Sequence, residues 1–220
     1  MTVVGVVVNS DGWELVGDLM VPESDKAVPL VVLLNKADGD RSAYQRLSQE
    51  LAARGIASIA LDLRGHGEST NLGMFVPGEM QRDPLIWDSE PDVTAALKYA
   101  SRISDIDSTR IAIVGSSYSG EEMAEAGRQD GYAGAYVALS PGSFSSASIL
   151  DVDSSNVPWL FVMATEDRFV TDIVDSLRAN SSEAEYLMVP GRKHATDILL
   201  EHEYVNPMIA EWLGAKLSAP

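Results

Sequence analysis

Arg110-Ile-Ala-Ile-Val-Gly-Ser-Ser-Tyr-Ser-Gly120 is an apolar strand that runs directly into a turn of small residues and then into helix-forming sequence. This is the context of a G-x-S-x-G-type nucleophile elbow, in which a serine sits in a strained backbone conformation between a strand and a helix. The residues two before and two after such a serine must be small, or strand and helix cannot approach. Ser117 meets that rule with Gly115 and Ser119 as flanks, whereas Ser116 has Val114 at one flank and Ser119 has Glu121.

Outward from this segment, short and nearly continuous apolar runs alternate with helical stretches, as in a parallel sheet covered on both faces. The expected strands are Leu30 to Asn35, Ile56 to Asp62, Arg110 to Val114, Gly134 to Ser140, Trp159 to Ala164 and Glu185 to Val189. The expected helices are Asp40 to Arg54, Pro91 to Ser101, Gly120 to Arg128, Thr171 to Asn180 and Tyr204 to Leu217. Before them, Val3 to Val8 and Trp13 to Val21 flank Asn9-Ser10-Asp11-Gly12, turn chemistry that predicts a β-hairpin. The fold class is therefore α/β, with a mixed, mostly parallel sheet of about eight strands in a single domain over residues 1–220. Two connections stand out. Residues 69 to 90 form a long loop carrying Leu72, Met74, Phe75, Met80 and Trp87, and the Ser-rich residues 141 to 157 are expected to join two strands directly, leaving no room for a helical cap.

A serine hydroxyl is a poor nucleophile near neutral pH and needs an adjacent base oriented by an acid. In the chain order that the elbow implies, the acid follows a later strand and a histidine follows the last one. Trp159-Leu-Phe-Val-Met-Ala-Thr-Glu-Asp167 and Tyr186-Leu-Met-Val-Pro-Gly-Arg-Lys-His194 supply both, with Glu166 and Asp172 as rival acids. Asp167 also reads as an N-cap for the helix beginning near Thr171. His66, far upstream of Ser117, is expected to bond locally, and His202, between Glu201 and Glu203, to be solvated. The three histidines lack metal-ligand spacing and the chain has no cysteine, so neither a metal centre nor thiolate chemistry is expected. Glu121 and Glu122 read as favourable charges at a helix N-terminus.

Thirty-three acidic residues against 16 basic ones give a net charge of -17, spread along the chain without a block of like charge. Such a surface repels phosphate backbones and anionic head groups, which disfavours nucleic-acid and membrane partners. The apolar runs of five or six residues fall far short of the roughly 20 that a membrane span needs. The N-terminus lacks the features of a secretory signal, which points to the cytoplasm unless a leader was removed ahead of Met1.

Several segments together resemble the α/β-hydrolase superfamily, nearest to its compact dienelactone-hydrolase-like and esterase members. They are the N-terminal hairpin, Asp62-Leu-Arg-Gly-His-Gly-Glu-Ser69, the elbow at Ser117, the acid at Asp167 and the histidine at His194, in that order. The resemblance implies an α/β-hydrolase fold with helices on both faces and no cap domain, and a cofactor-free Ser-His-Asp mechanism on a small-molecule ester. It further implies an oxyanion hole from the backbone amides of Ala37 and Tyr118. Asn35-Lys36-Ala37-Asp38-Gly39 departs from the family, which usually has His-Gly where Asn35-Lys36 stands. Lys36 is thus a candidate substrate-binding residue: its ammonium either faces Ser117 as a donor or, as expected here, pairs with Asp38 and Asp40. Asn35 is expected to take up some of the positive-φ backbone that glycine allows. Phe75 and Trp87 are candidate walls of an acyl pocket. Thioesters, lactones and peptides suit the same machinery, and a binding protein with a degraded oxyanion hole is the rival reading.

Overall fold

The computed structural model describes residues 2–78 and 83–218. Strands β1 (Thr2–Ser10) and β2 (Trp13–Val21) form the expected hairpin, closed by a two-residue turn in which Asp11 has φ 47° and Gly12 φ 86°. Positive φ at both turn positions matches the right-handed strand twist, which is why Asp-Gly closes hairpins so well. β3 (Val28–Leu34), β4 (Ala57–Leu61), β5 (Ile106–Ser116), β6 (Ala135–Leu139), β7 (Trp159–Ala164) and β8 (Glu185–Val189) complete one eight-stranded sheet of order β1-β2-β4-β3-β5-β6-β7-β8. β2 pairs antiparallel with both neighbours, and every pair from β3–β4 onward is parallel. The mixed, mostly parallel sheet thus stands as expected.

Alternation along the central strands divides the core in two. Leu30, Val32 and Leu34 of β3 pack on one face with α3 (Glu90–Ala100), α4 (Tyr118–Asp130), α5 (Ser146–Ser154) and α6 (Thr171–Asn180). Val31 and Leu33 face the other side, against α1 (Gln45–Ala52), α7 (Asp197–Glu201) and α8 (Val205–Lys216). Because both faces are covered, β3 is buried at all seven positions and shows no polar alternation.

Local structure differs from expectation in three places. The stretch from Asp40 begins as a 3-10 turn, Arg41–Tyr44, whose Ser42 amide is capped by the Asp40 carboxylate, and only then becomes α1. β5 starts at Ile106 rather than Arg110, because the polar residues 107 to 110 hide its edge while Ile106 still pairs with Val28 across an irregularity. Residues 141 to 157 do not link two strands directly: they contain α5, N-capped by Ser145, whose hydroxyl accepts the Ser148 amide. A serine-rich helix with one buried aliphatic stripe lacks the apolar period that would have marked it. Two further short helices are α2 (Pro84–Trp87) and α7. Among the described residues no helix is long and apolar enough to cross a membrane.

Candidate active site

The carboxyl ends of the parallel strands converge on one edge of the sheet, where α/β folds place ligands. Ser117 lies between β5 and α4 with φ 56° and ψ -117°, a conformation that costs on the order of 1–3 kcal/mol for a residue with a side chain. Its amide donates to Leu139 O at 2.9 Å and its carbonyl accepts from Gly120 N at 3.1 Å, so the elbow is held from both sides. A Cβ on Gly115 would come within 2.7 Å of Ser119 O and 2.8 Å of Met123 Sδ, which makes glycine a steric requirement there. The neighbouring serines are enclosed. Ser116 Oγ bonds Tyr44 OH at 2.6 Å, and Ser119 Oγ accepts the Ser116 amide at 2.7 Å.

His194 and Asp167 arrive from the loops after β8 and β7. His194 Nε2 is 2.9 Å from Ser117 Oγ, and Nδ1 is 2.7 Å from Asp167 Oδ2. Asp167 Oδ1 accepts the Phe169 amide at 3.2 Å, and the Ser140 side chain also stabilises its charged form. Burial raises the pKa of this carboxyl, but the bonds from His194, Ser140 and Phe169 outweigh it and hold it below the ordinary aspartate value. Asp167 does not cap α6, whose N-cap is Val170 without a side-chain bond. Glu166, the rival acid, points outward to Arg192 Nε at 2.8 Å, and Asp172 is exposed in the first turn of α6.

The segment after β3 is built around Asn35. Its φ is not positive; it works through its side chain, with Oδ1 accepting Leu63 N at 2.8 Å and Nδ2 donating to Lys36 O at 2.8 Å. The wholly buried amide thus ties this loop to the segment after β4. Ala37 is buried beside it. Tyr118 is the first residue of α4, so its amide has no acceptor one turn earlier in the helix. Lys36 is mostly buried and pairs with Asp38 at 3.1 Å and Asp197 at 3.2 Å. Asp40 is not its partner, being engaged with Ser42 N at 2.8 Å.

Phe75 is buried and stacks on His66 with ring centroids 5.0 Å apart, and His66 stacks in turn on Tyr118 at 5.6 Å. Phe75 therefore packs the loop onto the body and does not present an open wall. His66 bonds locally, Nδ1 to Arg64 O at 2.9 Å, and burial pushes its pKa down. Trp87 closes α2 and is 41% exposed, while Met80 lies outside the described residues. Glu121 and Glu122 are not free helix-end charges. Glu121 accepts Ser145 N at 2.8 Å and Ser148 Oγ at 2.9 Å, anchoring α5, and Glu122 accepts Ser89 N at 2.9 Å, anchoring α3. His202 is half-buried with Nε2 2.9 Å from Pro190 O, which braces the His194 loop in place of the expected solvation. Among the described residues no cluster of acids and histidines is placed to hold a metal ion.

Sequence reasoning missed Ser140. It follows β6 with φ 49°, is fully buried, its hydroxyl accepts Ala195 N at 2.9 Å, and its side chain helps to hold the Asp167 carboxyl low. Ala195, next to His194, also has a positive φ of 54°. Two strained residues meet through one hydroxyl behind the acid and the histidine, and no sequence pattern marks that convergence.

Residues 11–143 match the family model described as X-Pro dipeptidyl-peptidase (S15 family). An uncharacterized protein of Mycobacterium tuberculosis is 30% identical over 155 residues, covering 70% of this chain and 50% of the relative. The chain spans about half the length of the curated relatives it matches. Among solved structures, Est1E from Butyrivibrio proteoclasticus superposes with a TM-score of 0.74 at 16% identity, covering 98% of this chain and 99% of that one. Dienelactone hydrolase from Anabaena variabilis gives 0.73 at 16% identity, covering 99% of both chains. The Pyrococcus furiosus esterase Pf2001 gives 0.73 at 18% identity, covering 99% of this chain and 93% of the other. Likeness at such identities shows a shared α/β-hydrolase fold.

Proposed function

The chain belongs to the X-Pro dipeptidyl-peptidase (S15) family of α/β-hydrolases, and from that premise we propose that it cleaves carboxylic esters of small or medium acyl groups through an acyl-enzyme on Ser117. One observation carries the reading: the unbroken run from Ser117 Oγ to His194 Nε2 at 2.9 Å and from Nδ1 to Asp167 at 2.7 Å. Ser117 Oγ attacks the ester carbonyl and its proton passes to His194 Nε2. The carbonyl oxygen takes the negative charge, met by the Ala37 and Tyr118 amides. Collapse breaks the carbon–alkoxy bond, and His194 returns the proton to the departing oxygen, releasing an alcohol. Water then repeats the sequence, with His194 as base, to release the acid and restore Ser117. Asp167 stays ionised and stabilises the imidazolium.

Lys36 supports this reading by what its ammonium is already doing, since Asp38 and Asp197 occupy it and leave the oxyanion to the amides. The acyl chain would lie toward Trp87 as a wall, with Phe75 packed beneath against His66. A peptide substrate is the second reading, favoured by the description of the family model over residues 11–143. That match ends before Asp167 and His194, so it speaks to the nucleophile half of the site.

Labelling by a fluorophosphonate probe, with p-nitrophenyl esters of graded chain length and an X-Pro-p-nitroanilide, separates these readings. We expect labelling that is lost in Ser117→Ala and turnover of the shorter esters. Anilide cleavage without ester cleavage moves the assignment to a peptidase, and an unlabelled wild type moves it to a binding protein.

A further inference from the structure

Phe169 is 78% exposed, two residues beyond Asp167 in the turn that leads into α6. Exposure alone says little, since single exposed apolar residues are ordinary, but this ring is placed. Its ring meets the His194 imidazole edge-on, with centroids 5.6 Å apart and planes at 70°. Its amide is tied to Asp167 Oδ1 at 3.2 Å, so the ring is held in register with the acid and base together. On the same side of the imidazole, Gly142 has no side chain to fill the space. A Cβ there would stand 3.8 Å from His194 Cε1 and 3.2 Å from Phe169 O.

Cε1 is bonded to Nε2, the atom that gives the proton to the departing oxygen, so that oxygen must come within about 2.6–3.2 Å of Nε2. What the oxygen carries therefore passes the Nε2 end of the imidazole, and the Cε1 flank of that end is the one that Gly142 and Phe169 border. The acyl group is a separate substituent of the carbon that Ser117 attacks; the carbonyl oxygen turns to the amides of Ala37 and Tyr118, and the acyl group makes no bond to Nε2. We infer that Phe169 and Gly142 bound the leaving-group side of the site and favour esters whose alcohol portion is planar and apolar. The inference rests on the serine-hydrolase reading above. An exposed ring rewards a second flat ring through edge-on or offset contact and rewards a short alkyl group much less.

Esters of one acid isolate the effect, because 2-naphthyl acetate and ethyl acetate yield the same acetyl-enzyme and differ only in acylation. The quantity to follow is the ratio of their kcat/KM values, in which intrinsic leaving-group reactivity cancels between variants. Phe169→Ala should lower the naphthyl-to-ethyl ratio by about tenfold, Phe169→Trp should restore it, and Gly142→Ala should lower it by crowding the same edge. The 2-naphthyl butyrate-to-acetate ratio, which reads the acyl side, should move far less in Phe169→Ala. An unchanged naphthyl-to-ethyl ratio, a change that follows the acyl chain, or an equal loss on all esters would overturn the inference; the last would make Phe169 a brace for His194. Fluorophosphonate labelling run in parallel separates the two levels. A labelled wild type with no shift in ratio sinks this inference alone, whereas a wild type that neither labels nor turns over ester sinks the hydrolase reading with it.

Discussion

Ser117 and Ser140 are both forced into positive φ, at 56° and 49°, and both sit at the carboxyl end of a parallel strand. At Ser117 the strain presents a hydroxyl to His194, so Ser117→Ala should abolish ester turnover while Tm stays within about 2 °C; activity kept in Ser117→Ala and lost in Ser116→Ala would reassign the nucleophile. At Ser140 the strain places a hydroxyl where it accepts Ala195 N, next to His194. Ser140→Ala keeps the backbone requirement but removes the bond. The Ala195 backbone next to the base is then less well held and Asp167 loses one of the contacts that keep it low, so ester turnover should fall roughly tenfold. The stranded Ala195 amide costs a further ~1–3 kcal/mol of stability. A lower Tm with unchanged kcat/KM would make Ser140 a brace only. The difference in legibility between the two serines is physical. Gly115 and Ser119 surround Ser117 within five residues, so the steric demand of the elbow is written locally. Ser140 meets Ala195 across 55 positions, and neither residue type announces a positive φ.

Helix α4 carries more than the nucleophile. Glu121 holds the start of α5 and Glu122 the start of α3, so the helix opened by Ser117 is fastened to both neighbours by buried carboxyls. Burial raises the pKa of Glu122 from 4.5 to about 8, against the bonds from Ser89, with Glu125 and Glu121 adding like charge. The sign of the linkage follows. Between those two values the folded chain keeps a proton that the unfolded chain has lost, so stability falls as pH rises from about 4.5 to about 8. Glu122→Gln keeps the carbonyl that accepts the Ser89 amide and cannot ionise. It should therefore stabilise the protein at pH 8.5 by on the order of 2–4 kcal/mol and have little effect at pH 4.5. Urea unfolding at the two pH values is the check, and an equal effect at both would mean that Glu122 is ionised throughout. Elements were legible where burial imposes a period. Strands β3, β4, β6 and β7 and the inner half of β5 read as apolar runs because both faces are covered, whereas the edge strand β8 is partly exposed, and Asp11-Gly12 marked the hairpin by its conformational preference. α5 was not legible, because seven of its nine residues lie outside the core and its serines resemble loop chemistry. The anchoring by Glu121 and Glu122 was equally hidden, since a glutamate in a first turn looks the same whether it meets water or a buried amide.

At the scale of the whole molecule, charge is divided into two populations with opposite responses to salt. The buried pairs Arg41–Asp62 and Arg64–Asp92 involve fully buried carboxylates that fasten the loops after β3 and β4. Solvent ions screen such pairs little, because they do not reach them. Over the whole chain 33 acids stand against 16 bases, and the self-repulsion of the resulting net charge of -17 opposes the compact state. Exposed pairs such as Glu166–Arg192 offset it weakly, since surface ion pairs contribute little. Repulsion among exposed charges is the term that salt removes most readily, as the Debye length falls from roughly 30 Å at 0.01 M to about 3 Å at 1 M. The balance therefore predicts that Tm rises with sodium chloride between these limits at pH 7, by several degrees. Potassium chloride should match it at equal ionic strength, because screening depends on charge and not on the ion. A Tm that falls with salt would mean that surface pairing outweighs repulsion, and a rise with one cation only would point to specific binding at an acidic site in place of screening.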